Sequence, residues 1–186
     1  MKSFNPSKNF NIIVLIGYMG SGKSTVGKKL AKKLNVSFID LDKEIEKKYE
    51  KTVSEIFSNY GEIEFRKIEK KILTKILDYK FKFVLSVGGG TPCYSNNIDL
   101  IKSKTINTFY LKVPLQILSN RLFTRKDKRP IISHIKSVEE MNNFLAKHLF
   151  ERYLFYEKSN YVIDSNRADT IEVVNKIISI LNNNCL

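Results

Sequence analysis

The chain has 186 residues, of which 42% are hydrophobic and 27% are charged, and its formal net charge is +13. This length favours a single domain over residues 1–186, and the two distant cysteines, Cys93 and Cys185, exclude a disulfide framework or a zinc site. Because the early apolar run at residues 12–16 is too short to span a membrane and lacks the cleavage site of a signal peptide, we expect a cytoplasmic protein that does not contact membranes. We also expect a monomer.

Short apolar segments alternate with longer amphipathic segments along the chain. The predicted strands cover residues 11–16, 37–40, 83–87, 108–112 and 161–163. Between them, apolar residues recur at helical spacing over residues 26–34 and 65–76. Helix starts are indicated by capping pairs, which are Thr52 with Glu55, Ser137 with Glu140, and Asp169 with Glu172. The pattern predicts an α/β fold in which helices cover both faces of a five-stranded parallel sheet.

A glycine-rich loop follows the first predicted strand. Residues 17–24, GYMGSGKS, match the phosphate-loop pattern G-x-x-x-x-G-K-[ST] in full, and the flanking strand and helix make a chance match in a turn the weaker alternative. In such a loop the backbone N–H groups surround a phosphate, the lysine reaches the β- and γ-phosphates, and the hydroxyl coordinates Mg²⁺. We therefore predict that ATP and Mg²⁺ bind at residues 17–25, through Gly20, Ser21, Gly22, Lys23, Ser24 and Thr25.

The phosphate loop alone is shared by kinases, GTPases, motors and nucleotide-binding regulators. The guanine-reading sequence Asn-Lys-x-Asp is absent, and 186 residues leave little room for the further domains of a motor. A small-molecule kinase is therefore the predicted class.

Two carboxylates, Asp40 and Asp42, end the second predicted strand, at the sheet edge where α/β proteins bind ligands. One carboxylate can hold the metal while the other accepts the proton of an acceptor hydroxyl. The alternative for Asp42 is that it only caps the helix that follows.

Arg66 and three consecutive glycines are candidates for acceptor binding. A guanidinium at Arg66, between Phe57 and Phe65, can bind a carboxylate in a bidentate manner, whereas an ordinary ion pair with Glu62 or Glu69 is the alternative. The three glycines, Gly88, Gly89 and Gly90, directly follow a predicted strand and offer bare N–H groups to a ligand, although a tight turn would explain one or two of them.

Basic residues concentrate late in the chain, in a stretch that ends at Pro130: Arg121, Arg125, Lys126, Lys128 and Arg129. This composition is typical of a lid that closes over phosphates, and a nucleic-acid contact is the competing use. Arg152 shares a helix face with Tyr156 and can supply a second guanidinium, or pack at the edge of the core. Elsewhere the lysines are scattered beside glutamates, which indicates solvated helix faces and makes nucleic-acid binding the weaker interpretation.

The succession of motifs resembles the shikimate kinase family over residues 11 to about 167. The resemblance depends on the phosphate loop, Asp40-Leu-Asp42, Phe65-Arg66-x-x-Glu69, the triple glycine, Lys128-Arg-Pro and Arg152-x-x-x-Tyr156. It implies a three-layer αβα P-loop kinase fold with a five-stranded parallel sheet, a substrate-binding region at about residues 42–70 and a mobile lid at about 121–136. It also implies the transfer of the ATP γ-phosphate to the 3-hydroxyl of shikimate, in aromatic amino-acid biosynthesis.

The resemblance also assigns roles to individual residues. It implies that Asp42 contacts the reacting hydroxyls, that Arg66 and Arg152 bind the carboxylate, and that residues 88–90 line the substrate pocket. Ser24 and Asp40 would serve Mg²⁺, Lys23 and the lid residue Arg129 would stabilise the transferred phosphoryl group, and Arg121 and Arg167 would lie near adenine. This chain has Leu41 where the family often has Ser or Thr, and its lid length leaves Arg125 as an alternative to Arg121.

Two rival functions are compatible with the same residues. A gluconate-type or nucleotide kinase would share the loop and fold, and profiling of phosphate acceptors distinguishes it. A nucleic-acid-binding module that responds to ATP would bind DNA or RNA in a salt-sensitive manner and would release no ADP in response to an acceptor.

Overall fold

The computed structural model describes residues 11–124, 130–165 and 169–183. Within them, five parallel strands form one sheet in the order β2-β3-β1-β4-β5. The strands are β1 (Ile12–Ile16), β2 (Ser37–Asp40), β3 (Phe83–Ser86), β4 (Thr108–Lys112) and β5 (Tyr161–Asp164). This arrangement confirms the predicted α/β class, and each predicted strand boundary agrees with the structure to within one residue.

The helices fill the intervals between strands. They are α1 (Lys23–Leu34), α2 (Leu41–Tyr49), α3 (Val53–Leu77), α4 (Asn97–Lys104), α5 (Leu115–Phe123), α6 (Pro130–Ser133), α7 (Val138–Tyr156) and α8 (Thr170–Asn183). The backbone of α3 is kinked at Gly61, where φ is 77°. None of the helices in the described residues combines the length and hydrophobicity that a membrane span requires.

Two hydrophobic clusters, one on each face of the sheet, explain why the strands are apolar throughout. Ile12, Val14 and Ile16 of β1 face the cluster formed with α2, α3, α4, α5 and α7. Ile13 and Leu15 face the second cluster, which is formed with α1 and α8. A strand buried on both faces cannot alternate apolar with polar residues, and the result is three layers, αβα.

Two of the predicted helix caps are visible in side-chain hydrogen bonds. Thr52 and Glu55 form a complete capping box at the start of α3. Ser137 accepts a hydrogen bond from the Glu140 N–H, but the Glu140 carboxylate accepts from the Lys136 N–H, one residue before the cap. At α8 the Asp169 carbonyl accepts from the Val173 N–H, so the helix starts where the sequence predicted.

The carboxyl ends of all five strands meet at one edge of the sheet. β1 is central, between β3 and β4, and the phosphate loop leaves it at Gly17. Asp40 ends β2, and the three glycines follow β3 after Val87. The predicted ligand-binding segments are therefore adjacent in space, as expected at the edge where strand order reverses.

Candidate active site

The loop between β1 and α1 is bent by glycines. Gly20 and Gly22 have φ values of 80° and 93°, which side chains other than that of glycine seldom adopt. The Lys23 ammonium is buried over the loop and donates hydrogen bonds to the carbonyls of Gly17 (2.8 Å) and Tyr18 (3.0 Å). Ser21 is buried in the loop, and Thr25 is exposed in the first turn of α1. The loop therefore presents a cation and a helix N-terminus at the carboxyl edge of the sheet, the requirements for a phosphate site.

Ser24 and Asp40 form the next part of the site. The Ser24 hydroxyl donates to Asp40 Oδ2 over 2.6 Å, which joins the start of α1 to the end of β2. Asp40 occupies the N-cap position of α2, but its side chain makes no capping hydrogen bond. Its carboxylate is directed instead to Ser24, so the two predicted metal ligands are adjacent.

Asp42 lies within the first turn of α2 and is neither part of the strand nor the cap of the helix. The interpretation of Asp42 as a helix cap is therefore wrong, and its side-chain direction comes from the helix and not from strand alternation. Burial raises the pKa of Asp42 to about 6, and the negative charges of Asp40 and Glu69 act in the same direction, whereas Lys23 opposes them. A carboxylate with a pKa near neutrality is suited to accept a proton.

Arg66 is held by two carboxylates on its own helix. Its Nη1 donates to Glu69 Oε2 (2.8 Å), and its Nη2 and Nε donate to Glu62 Oε1 (3.1 and 3.3 Å). The guanidinium carbon lies 4.0 Å from the centroid of the Tyr94 ring, with Phe65 and Phe57 at 5.2 and 5.7 Å. The predicted ion pairs are thus present, but the Arg66 side chain is only 13% exposed and is not an ordinary surface group.

Glu69 is the buried centre of this cluster. It is 1% exposed, and its second oxygen, Oε1, accepts a hydrogen bond from the Thr91 hydroxyl over 2.6 Å. One carboxylate therefore joins Arg66 on α3 to the segment that follows the three glycines. A buried carboxylate is stable only when it is paired and hydrogen-bonded, and both conditions are met here.

The three glycines, none of which has a positive φ, lie where other groups approach the backbone closely. A Cβ atom at Gly88 would lie 2.9 Å from Asp42 Oδ1, one at Gly89 would lie 3.1 Å from the Met19 backbone nitrogen, and one at Gly90 would lie 2.6 Å from Arg66 Nη2. The triple glycine therefore brings Asp42, the phosphate loop and Arg66 together. Space for these groups, not turn geometry, explains the glycines.

Helix α7 closes the site from another side. The Tyr156 hydroxyl donates to the Gly89 carbonyl over 2.6 Å, and the Arg152 guanidinium carbon lies 5.6 Å from the centroid of the Tyr18 ring. Burial raises the pKa of the Cys93 thiol to about 11, while the positive charges of Arg152 and Arg66 oppose that rise. Both guanidiniums are therefore close enough to Cys93 to act on its thiol electrostatically.

Arg121 is the one predicted adenine contact that the structure describes. Its Nη1 donates to the Gly20 carbonyl over 3.3 Å, so the end of α5 lies against the phosphate loop. Arg125, Arg129 and Arg167 lie outside the described residues. Of the predicted lid at 121–136, the structure describes both ends, including α6.

Comparison with known proteins identifies the family and the fold. The model of the shikimate kinase family matches residues 19–182. The shikimate kinase of Flavobacterium psychrophilum is 42% identical over 169 residues, which cover 89% of this chain and 98% of that protein. The chain belongs to the shikimate kinase family.

Solved structures agree with this family assignment. The shikimate kinase of Bacteroides thetaiotaomicron is 36% identical with a TM-score of 0.82, and covers 92% of this chain and 96% of its own. The enzyme of Acinetobacter baumannii, solved in complex with shikimate, is 33% identical with a TM-score of 0.84, and covers 96% and 97%. As a shikimate kinase, the protein transfers the ATP γ-phosphate to the 3-hydroxyl of shikimate and forms shikimate 3-phosphate and ADP, in the chorismate pathway.

Two residues that contact the site were not predicted as site residues. Thr91 and Tyr94 carry no local motif, and their contacts with Glu69 and Arg66 come from long-range packing. Glu69 was recognised as part of a motif, but only as an ion-pair partner. Its spacing from Arg66 indicated the contact, whereas nothing in the sequence indicated that the carboxylate would be buried.

Proposed function

We propose that this kinase performs a Mg²⁺-dependent transfer in which Asp42 is the base, Lys23 and the phosphate loop bind ATP, and Arg66 and Arg152 bind the shikimate carboxylate. The observation that supports this assignment most strongly is the close approach of Asp42, Arg66 and the phosphate loop to three consecutive glycines. A candidate base, a candidate carboxylate-binding cation and the phosphate loop thereby meet at one three-residue segment. Because Gly88, Gly89 and Gly90 have no side chains, all three groups can approach its backbone, and we assign these glycines to the lining of the shikimate site.

Arg66 retains the donors that a substrate carboxylate needs. A guanidinium has five N–H groups, and the bonds to Glu62 and Glu69 use one on Nε and one on each terminal nitrogen. Within the described part of the chain, one N–H on each terminal nitrogen is thus left for a planar anion, to which Arg152 adds a second positive charge near Cys93. Two positive groups favour a carboxylate acceptor over a neutral polyol.

The transfer itself requires proton removal and charge stabilisation. The acceptor hydroxyl gives its proton to Asp42, its oxygen bonds to the γ-phosphorus, and the bond from that phosphorus to the bridging oxygen breaks to release ADP. Lys23 lies close enough to influence the pKa of Asp42, so the cation and the base share one site. We assign Gly20, Ser21, Gly22, Ser24 and Thr25 to ATP binding together with Lys23.

The lid assignment completes the ATP site. We propose that Arg129 stabilises the transferred phosphoryl group and that Arg121 and Arg167 lie along adenine. The hydrogen bond from Arg121 to the Gly20 carbonyl supports the assignment of Arg121 to adenine, because it places the end of α5 beside the phosphate loop. Closure of the lid at 121–136 would exclude water, which otherwise competes with shikimate for the phosphoryl group.

The residues around Ser24 fit a magnesium ion. A hydroxyl and a carboxylate lie 2.6 Å apart, and oxygen ligands are those that Mg²⁺ prefers. Mg²⁺ is usually bound by one or two protein oxygens together with water and phosphates, and Ser24 and Asp40 can supply two such oxygens. When bound, Mg²⁺ offsets the charge of the β- and γ-phosphates.

Replacement of Ser24 by alanine tests the metal assignment. We expect EDTA to abolish ADP release, added Mg²⁺ to restore it, and Ser24→Ala to raise the Mg²⁺ concentration for half-maximal rate roughly tenfold or more. Titration of the rate against Mg²⁺ at saturating ATP and shikimate measures this effect. Ser37→Ala, at an exposed serine that begins β2, is the matched control. An unchanged requirement in Ser24→Ala would remove Ser24 from the metal site.

We also propose that residues 1–186 act as one domain, as a monomer in the cytoplasm, without a nucleic-acid partner. Exposed lysines pair with neighbouring carboxylates, as in Lys43 with Glu46, Lys67 with Glu64 and Lys104 with Asp78. Such pairs are typical of solvated helix faces, which favours solvation over nucleic-acid binding as the role of the lysines.

A further inference from the structure

Tyr18 connects the phosphate loop to the hydrophobic core. Its side chain is 1% exposed and belongs to the hydrophobic cluster that the sheet forms with α2, α3, α4, α5 and α7. Its backbone carbonyl accepts hydrogen bonds from the Lys23 ammonium (3.0 Å) and from the Ser21 N–H (3.2 Å). The same residue therefore contributes its backbone to the loop and its side chain to the core.

The Tyr18 side chain contacts the helix that carries Arg152. Its hydroxyl lies 3.3 Å from Nδ1 of His148, and its ring centroid lies 5.6 Å from the Arg152 guanidinium carbon. His148 and Arg152 are one turn apart on α7, and the His148 ring packs 4.3 Å from that of Phe144. Burial lowers the pKa of His148, and the charge of Arg152 lowers it further, which favours the neutral imidazole. A neutral imidazole bonds the hydroxyl in either tautomer.

We propose that Tyr18 and His148 are positioning residues that couple the phosphate loop to Arg152, so that ATP and shikimate strengthen each other's binding. The inference rests on the proposed function, in which the loop binds ATP and Arg152 binds the carboxylate. When the Lys23 ammonium turns to a bound phosphate, its bonds to the Gly17 and Tyr18 carbonyls weaken. This loss of hydrogen bonds acts on the backbone of Tyr18, and the Tyr18 side chain transmits it to α7, which it contacts. Such a coupling acts equally in both directions.

Calorimetric titration measures this coupling. The dissociation constant of a non-hydrolysable ATP analogue with Mg²⁺ is determined with and without saturating shikimate, and the ratio is the coupling factor. We expect a coupling factor above one in the natural protein. In Tyr18→Phe and in His148→Leu we expect this factor to fall about twofold to tenfold, which is the range for the loss of one neutral hydrogen bond. The double variant should lose no more than either single variant, because both remove the same bond.

Two further variants separate positioning from packing. His148→Asn places an amide atom near the position of Nδ1 and should retain most of the coupling, while Tyr153→Phe, at an exposed tyrosine of α7, should retain all of it. A purely structural role of Tyr18 would lower the melting temperature of Tyr18→Phe and leave the coupling factor unchanged.

The outcomes that overturn the proposed coupling through Tyr18 and His148 differ from those that overturn the proposed function. The coupling proposal is overturned by a coupling factor of one in the natural protein, or by an unchanged factor in Tyr18→Phe and His148→Leu. Arg152→Leu tests the carboxylate role separately, through the dissociation constant of shikimate alone. Undiminished shikimate binding in that variant would remove Arg152 from the site, and the coupling proposal would be overturned with it.

Discussion

Replacement of Asp42 by asparagine should lower kcat about a hundredfold to ten-thousandfold, the range for loss of a general base, and should leave the KM for ATP nearly unchanged. The reason is that the asparagine side chain keeps the shape of the aspartate but cannot accept the proton of the acceptor hydroxyl. Steady-state kinetics with shikimate and ATP varied in turn measure both effects. An unchanged kcat would exclude Asp42 from the chemistry.

The pH profile provides a second readout for Asp42. Burial raises its pKa to about 6, so the carboxylate is ionised above that pH and protonated below it. We expect kcat/KM for shikimate to fall about tenfold per pH unit below 6 in the natural protein, and this acid limb to disappear in Asp42→Asn. A raised pKa also means that the folded state binds the proton more tightly than the unfolded chain does, so the ionised carboxylate costs stability at neutral pH. Asp42→Asn should therefore melt no lower than the natural protein.

Replacement of Arg66 by alanine should raise the KM for shikimate roughly tenfold to a hundredfold, the range for a lost hydrogen bond to a charged group, while the KM for ATP changes little. Because Arg66 pairs with Glu69, which is 1% exposed, this variant also leaves a buried carboxylate without its partner and is expected to be less stable. Kinetics and thermal melts on the same samples separate the two effects.

A lysine at position 66 serves as the conservative variant. Arg66→Lys keeps the positive charge beside Glu69 but not the planar fork, so it should fold like the natural protein and still bind shikimate weakly. Lys67→Ala is the surface control, since Lys67 forms an exposed pair with Glu64. If the KM for shikimate stays at the natural value in Arg66→Lys and in Arg66→Ala, the two ion pairs are the whole role of Arg66.

The strands and the phosphate loop could be predicted because their signals are local. A strand buried on both faces is apolar throughout, as β1 is, and the loop is specified by consecutive residues between a strand and a helix. The strand order could not be predicted in the same way, since pairing of β2 with β3 joins segments more than forty residues apart. The kink at Gly61 was also missed, because helical spacing continues on both sides of it.

The candidate site was predictable as a set of residues but not as an arrangement. Asp42 was expected at a strand end, yet α2 begins at Leu41, so the direction of its side chain depends on where the helix starts. The sequence correctly predicted that Arg66 pairs with Glu62 and Glu69. It did not predict that the Arg66 side chain would be largely buried. Sequence spacing shows which charges can meet on one helix, whereas tertiary packing decides that Glu69 is enclosed by Thr91 and Gly88.

The proposed site is tested most directly by ADP release from ATP and Mg²⁺ with shikimate, quinate, gluconate, a nucleoside monophosphate or no acceptor, measured in parallel. We expect rapid release with shikimate and slow release without an acceptor, because the proposed site transfers the phosphoryl group only to a hydroxyl placed beside Asp42. Equal release with gluconate or a nucleotide, or release that does not depend on any acceptor, would contradict the assignment.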